Sequence, residues 1–157
     1  MSESWIGQDG RSTERPAASE RQRRARVLVL DDHKATRDLC AGYCDLFDHA
    51  CEVAGGVAEA VAALRREPFD AVVMNVHMQA CDGLSLLGAI RGVSAVARRT
   101  PVIGLTAIGR GDEAQRWLAA GLTAVVAKPV TAARLHAALS VAAEAGADPV
   151  RSWAPTA

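Results

Sequence analysis

The sequence predicts a doubly wound α/β domain, five parallel strands with helices on both faces of the sheet. Three observations predict it. Short apolar runs alternate with amphipathic stretches from about residue 26 to residue 146. The runs are continuously apolar rather than alternating, as strands covered on both faces must be. The polar residues that interrupt the pattern, Asp31-Asp32, Asn75, Thr106 and Lys128, each follow one of those runs, and open sheets of this kind bind ligands beyond the carboxyl ends of their strands.

Residues 1–25 are rich in Ser, Arg, Glu, Gln and Gly and show no apolar periodicity. Such a composition cannot offset its own ordering entropy, so a disordered arm is expected there. Val27-Leu28-Val29-Leu30 forms the first strand. Leu39, Tyr43, Leu46 and Phe47 keep the spacing of a first amphipathic helix. Glu52-Val53-Ala54 is a weaker second strand, and Val57, Ala60, Val61 and Leu64 mark the second helix. Ala71-Val72-Val73-Met74 is the third strand, followed by a less regular helix from Leu84 to about Val93. Val102-Ile103-Gly104-Leu105 is the fourth strand. Ala114, Trp117, Leu118 and Gly121 trace the fourth helix, with Asp112 and Gln115 spaced as a capping box and Gly121 suited to its C-terminus. Ala124-Val125-Val126-Ala127 is the fifth strand. Thr131 can cap a last helix carried by Leu135, Ala138, Leu139 and Ala142. The domain is thus placed at 26–146, with a flexible tail at 147–157. Alternating strands and helices imply parallel β-α-β units with right-handed crossovers.

At 157 residues the chain is one domain's worth. Lys plus Arg and Asp plus Glu balance at 18 each, which favours neither nucleic acid nor an acidic substrate. No apolar stretch approaches the roughly 20 residues that span a bilayer, and the charged N-terminus lacks the apolar core of a secretory signal. A cytoplasmic protein without membrane contact is expected. Cys40, Cys44, Cys51 and Cys81 follow no paired zinc-ligand spacing and read as reduced, small apolar fillers. The basic run Arg21 to Arg26 has no interleaved aromatic residue and has Glu14 and Glu20 nearby, so it reads as a solvated lead-in rather than a nucleic-acid contact.

The residues at the strand ends carry the chemistry. Asp31 and Asp32 offer hard oxygen ligands for Mg²⁺, Thr106 and Lys128 offer a hydroxyl and an ammonium for phosphoryl oxygens, and a central carboxylate would be the nucleophile. The acidic pair, Asn75, Asp82-Gly83, Thr106-Ala107, Ala119-Ala120-Gly121 and Lys128-Pro129 together resemble the receiver domain of two-component response regulators. The likeness spans roughly residues 26 to 145 and is closest to the receivers attached to hybrid histidine kinases. It implies a flavodoxin-like sheet of order 2-1-3-4-5. It makes Asp32 a direct Mg²⁺ ligand, Asp31 a ligand through water and the backbone carbonyl of His77 a third contact. It also implies a cis bond before Pro129, with Thr106 and Lys128 as the phosphoryl-sensing groups.

Three departures accompany the likeness. Asn75 stands where the phosphoaccepting aspartate belongs, and an amide cannot form an acyl phosphate by carboxylate attack. Gln79 stands where proline is usual, and Val125 stands where a Tyr or Phe switches. Trp117 is a candidate to fill the volume of that missing ring. Replacing one carboxylate of three takes the formal charge of the pocket from −2 to −1, so any Mg²⁺ site should be weakened and Lys128 can pair with Asp31 or Asp32. His33 and His77, with Asp32, offer a transition-metal alternative that lacks zinc-motif spacing.

The expected function is therefore that of an atypical receiver, not an enzyme, which does not accept phosphate and works by protein contact. The expected partners are a histidine kinase, a phosphotransfer protein, another receiver or a second copy of the chain. They would dock at the first helix and pocket rim or at the fourth-helix, fifth-strand, fifth-helix face. Two rivals stand beside this reading. One is an ordinary phosphoaccepting receiver whose aspartate was replaced by Asn75, against which the independent loss at Val125 argues. The other is a small enzyme of flavodoxin-like fold, disfavoured because Asp31-Asp32-His33-Lys34 is neither a Ser/Thr-rich phosphate loop nor an Asp-x-Asp.

Overall fold

The computed structural model describes residues 25–107 and 111–146. Strands β1 (Arg26–Leu30), β2 (Ala50–Ala54), β3 (Ala71–Asn75), β4 (Val102–Thr106) and β5 (Ala124–Ala127) form one parallel sheet of order 2-1-3-4-5. Helices α1 (Lys34–Leu46), α2 (Val57–Arg66), α3 (Gly83–Arg91), α4 (Ala95–Arg99), α5 (Gly111–Ala119) and α6 (Ala132–Ala145) connect and cover it. The predicted fold is the observed one. Among the described residues no helix is long and apolar enough to cross a membrane.

Strand side chains alternate between two cores, one on each face. Val27, Val29, Val73, Ile103 and Leu105 pack with Cys40 and Cys44 of α1 and with Leu135, Leu139 and Ala142 of α6. Leu28, Leu30, Val72 and Met74 pack on the opposite face with Ala60 and Leu64 of α2 and with Leu86 and Ile90 of α3. Each fully buried aliphatic side chain contributes about 1.5–3 kcal/mol relative to exposure. The central strands β3 and β4 are buried along their whole length, whereas the edge strands β2 and β5 are only partly covered. The expectation of complete cover therefore fails for the fifth strand, which has a neighbour on one side only.

Several predicted details shift. The first helix turns Cys40 and Cys44 inward, while Leu39 and Leu46 are 40% and 71% exposed. Its rotation is set at its start and middle, where Arg37 Nη1 donates to the Asp31 carbonyl at 2.8 Å and Tyr43 donates to the Val130 carbonyl at 3.2 Å. Arg37, Cys40 and Cys44 then share one stripe by helical spacing. Burial pushes the Cys40 thiol up to about 12, and hydrogen bonding with Cys51 together with burial also raises that of Cys44. Cys40 and Cys44 are the buried fillers expected, whereas Cys51 and Cys81 are only partly buried.

The fourth predicted helix, α5, begins at Gly111, so Asp112 lies in its first turn rather than ahead of it as a cap. Leu118 is exposed there and Glu113 is buried. A short helix, α4, was not anticipated; Ser94 caps it by accepting from Ala97 N at 3.0 Å. Thr131 caps α6 by accepting from Arg134 N, and Gly121 takes the positive φ of 117° that a side chain would resist. Ala25, assigned to the arm, is buried against Ala143, and its carbonyl accepts from Ala50 N at 2.8 Å. The remainder of the arm at 1–24 and the tail at 147–157 lie outside the described residues.

Candidate functional site

Strand register brings the predicted residues together. Leu30 pairs with Met74, Asn75 with Leu105, and Thr106 with Ala127. The residues at or just past these positions, Asp31, Asn75, Thr106 and Lys128, therefore line one end of the sheet. The Lys128-Pro129 bond is cis, as the resemblance implies.

Asn75 is at the centre and is buried. Its Oδ1 accepts from His77 N at 2.9 Å, and its Nδ2 donates to Asp31 Oδ1 and to Asp32 Oδ1, each at 3.3 Å. A backbone N–H can only donate and a carboxylate can only accept, so this surrounding fixes which way the amide faces.

Both carboxylates are supplied with protein donors. Asp31 is fully buried; its Oδ1 also accepts from His33 N at 2.8 Å, and its Oδ2 lies 3.0 Å from Lys128 Nζ. That last contact lacks hydrogen-bond alignment and acts through charge. Lys128 thus pairs with Asp31, one of the two partners expected. Asp32 Oδ2 accepts from Gln79 N at 3.1 Å. Burial works against the charge of Asp32, but the Gln79 N–H, the nearby His33 and the Asn75 amide together hold its carboxyl below the ordinary value. A proline at position 79 would have no N–H to give.

The two histidines separate. His33 Nδ1 lies 3.2 Å from Asp31 Oδ1 and 3.1 Å from Asp32 Oδ1, so Asp31, Asp32 and His33 bring three potential ligand atoms within 4.8 Å of one another. His77 does not join them. Expected to matter through its backbone carbonyl, it gives its N–H to Asn75 and turns its ring to Thr106 Oγ1 at 3.1 Å and Glu113 Oε2 at 2.7 Å. The same Glu113 oxygen accepts from Thr106 Oγ1 and Trp117 Nε1, both at 3.1 Å. Burial opposes ionisation of Glu113, and these hydrogen bonds overcome it and hold the carboxyl below its usual value.

Glu113 went unread in the sequence, although a signal was available. Glu113 and Trp117 are four residues apart and so share a helix face; an inward tryptophan implies an inward glutamate. Val125 lies across from Gly104 and packs, partly buried, in the same apolar core that Trp117 packs against. The Trp117 ring is set against Gly83, where an added Cβ would meet its Cη2 at 2.3 Å.

The family model described as the response regulator receiver domain matches residues 27–140. The chain is 34% identical over 118 residues to the sensor histidine kinase RcsC of Salmonella typhi, a match covering 75% of this chain and 12% of RcsC. The chain thus spans about an eighth of that curated relative. The chemotaxis response regulator CheY4 of Vibrio cholerae is structurally similar, with a TM-score of 0.69 and 25% identity over 76% of this chain and 98% of CheY4. The receiver domain of the sensor histidine kinase PA1611 from Pseudomonas aeruginosa shares the fold, with a TM-score of 0.66 and 23% identity over 78% of this chain and 98% of that one; it was solved with a magnesium ion coordinated in its active-site cleft.

Proposed function

The chain belongs to the response regulator receiver family, and from that premise we propose that it works in two-component signalling as a receiver that takes no phosphoryl group and acts by binding. The observation that carries this reading is the Asn75 amide, whose nitrogen donates to both acidic residues. An acyl phosphate needs a carboxylate oxygen as nucleophile at that point, and the amide presents a neutral oxygen already accepting from His77 N.

The surroundings support the same reading. Gln79 adds an N–H to Asp32, and Lys128 adds a positive charge beside Asp31. Protein groups thereby supply much of the neutralisation that a divalent ion would bring. Asp31, Asp32 and the His77 carbonyl would hold Mg²⁺, and its chemistry would be to neutralise phosphoryl oxygens. The ion would have to displace the two Asn75 hydrogen bonds, so the fit is to a weak site. Gln79 and Val125 also argue against a single replaced aspartate in an otherwise ordinary receiver, because three departures occur and two of them lie outside that position.

The partners proposed are a histidine kinase, a phosphotransfer protein or another signalling protein. Exposed Leu39 and Leu46 on α1 give such a partner an apolar foothold. A chain that occupies a kinase without accepting its phosphate acts as a competitive brake. The test is incubation with acetyl phosphate, or with a phosphorylated histidine kinase, plus Mg²⁺, followed by intact-mass analysis and pull-down. The expected result is no added phosphoryl mass together with retained kinase or phosphotransfer-protein binding. A phosphoryl group mapped to the Asn75 peptide would overturn the reading.

A further inference from the structure

Glu113 sits in the first turn of α5, yet its carboxylate is buried beside the cleft. One of its oxygens gathers Thr106 Oγ1, His77 Nε2 and Trp117 Nε1 at 3.1, 2.7 and 3.1 Å. An ionised carboxylate has no proton to give, so in the Thr106 contact the hydroxyl is the donor. A hydroxyl carries a single proton. While Glu113 receives it, an anion at Asn75 cannot receive it as well.

We propose that Glu113 is a latch on Thr106, which holds the threonine hydroxyl toward α5 and ties its position to the indole of Trp117. The proposal rests on the receiver reading and names a regulating contact of the same site. His77 closes the circuit: its N–H holds the Asn75 amide and its ring shares the Glu113 oxygen. Trp117 carries the far end to the surface, where His77, Leu84, Glu113, Arg116, Trp117 and Ala120 line an open cleft of about 350 Å³. The two-state element that such coupling requires is the hydroxyl itself, with Glu113 as one acceptor and an anion seated in the cleft without a covalent bond as the other. Because Val125 has no ring to move, this route through Thr106, Glu113 and Trp117 replaces an aromatic switch on β5.

The test uses the full chain labelled with ¹⁵N. It has three tryptophans, so the Trp117 indole resonance is assigned with Trp117→Phe. Thr106→Val and Glu113→Gln should each shift that resonance, and the double variant should move it no further than Glu113→Gln alone. Glu113→Asp keeps the charge but is one methylene shorter, and should behave as Glu113→Gln does. An indole resonance unmoved by Thr106→Val, or wild-type behaviour of Glu113→Asp, overturns the latch.

A second arm uses beryllofluoride with Mg²⁺ on Asn75→Asp. Adding Glu113→Leu, which offers the hydroxyl no acceptor, should tighten beryllofluoride binding about fivefold; equal affinity in the two backgrounds overturns the latch. Absence of beryllofluoride binding in both backgrounds overturns the receiver reading instead, while the indole shifts still decide the latch.

Discussion

At the scale of single residues, Asn75 supplies two N–H donors where a carboxylate would supply none. Asn75→Asp removes the hydrogen bonds to Asp31 and Asp32 and sets three carboxylates against one lysine. With a chelator present, that variant should lose about 1–3 kcal/mol of stability. Added Mg²⁺ should restore it by binding the folded state alone. Urea unfolding in both conditions measures this, and equal stability of variant and parent in chelator would show that the amide bonds contribute little. Gln79→Pro should act in the same direction on one group. It removes the N–H that lowers the Asp32 carboxyl, so a carboxyl ¹³C titration of Asp32 should move upward.

Residues at the strand ends were readable because each breaks an apolar run with a polar group. Asp31, Asp32, Asn75, Thr106 and Lys128 stand out for that reason, and register then brings them together. Glu113 was not readable in that way. It lies in a polar first turn, where its spacing from Trp117 tells that it faces inward but not that it meets Thr106. The part played by Gln79 was hidden for a different reason, since it acts through its backbone and any residue but proline would donate there.

At the scale of elements, the strands were legible from apolar continuity, with ends correct to within a residue or two. Helix faces were less so. Counting Leu39 and Leu46 as the inward stripe of α1 weighs side-chain hydropathy alone, whereas the hydrogen bonds of Arg37 and Tyr43 settle the rotation and give the interior to two small thiols. The start of α3 bears a sharper constraint. An alanine at Gly83 would place its Cβ 2.3 Å from Trp117 Cη2 and 3.0 Å from the Val76 carbonyl oxygen, and the indole cannot retreat without leaving Glu113. Gly83→Ala should therefore cost about 1–3 kcal/mol. Gly104→Ala meets Leu122 Cδ1 at 2.6 Å and Val76 Cγ1 at 3.0 Å, both side-chain tips with no backbone atom among them, and should cost less. Thermal unfolding of the pair ranks them, and the reverse order would mean that Trp117 moves more freely than its contacts imply.

At the scale of the whole molecule, acid is the natural probe, because two carboxylates of the cleft are held ionised by its hydrogen bonds. Asp32 and Glu113 are held below their ordinary values of 3.8 and 4.5 in the folded state. Over that range the unfolded chain binds more protons, so stability rises with pH. The contribution is complete above the ordinary values and is lost as pH falls through the depressed ones. Glu113→Gln should flatten this dependence below pH of about 5.5, read as the urea midpoint at each pH. An unchanged slope would assign the acid response to other groups.

In an ordinary receiver the acyl phosphate decays, and its lifetime dates the message. An amide seated between two carboxylates has no such decay. If this cleft takes no phosphoryl group, the domain would keep no record of when a kinase last fired, and a binding partner would sense how many copies are present. Control would then rest on the number of copies and on whatever contacts the cleft makes. The cell reads a dose in place of a duration.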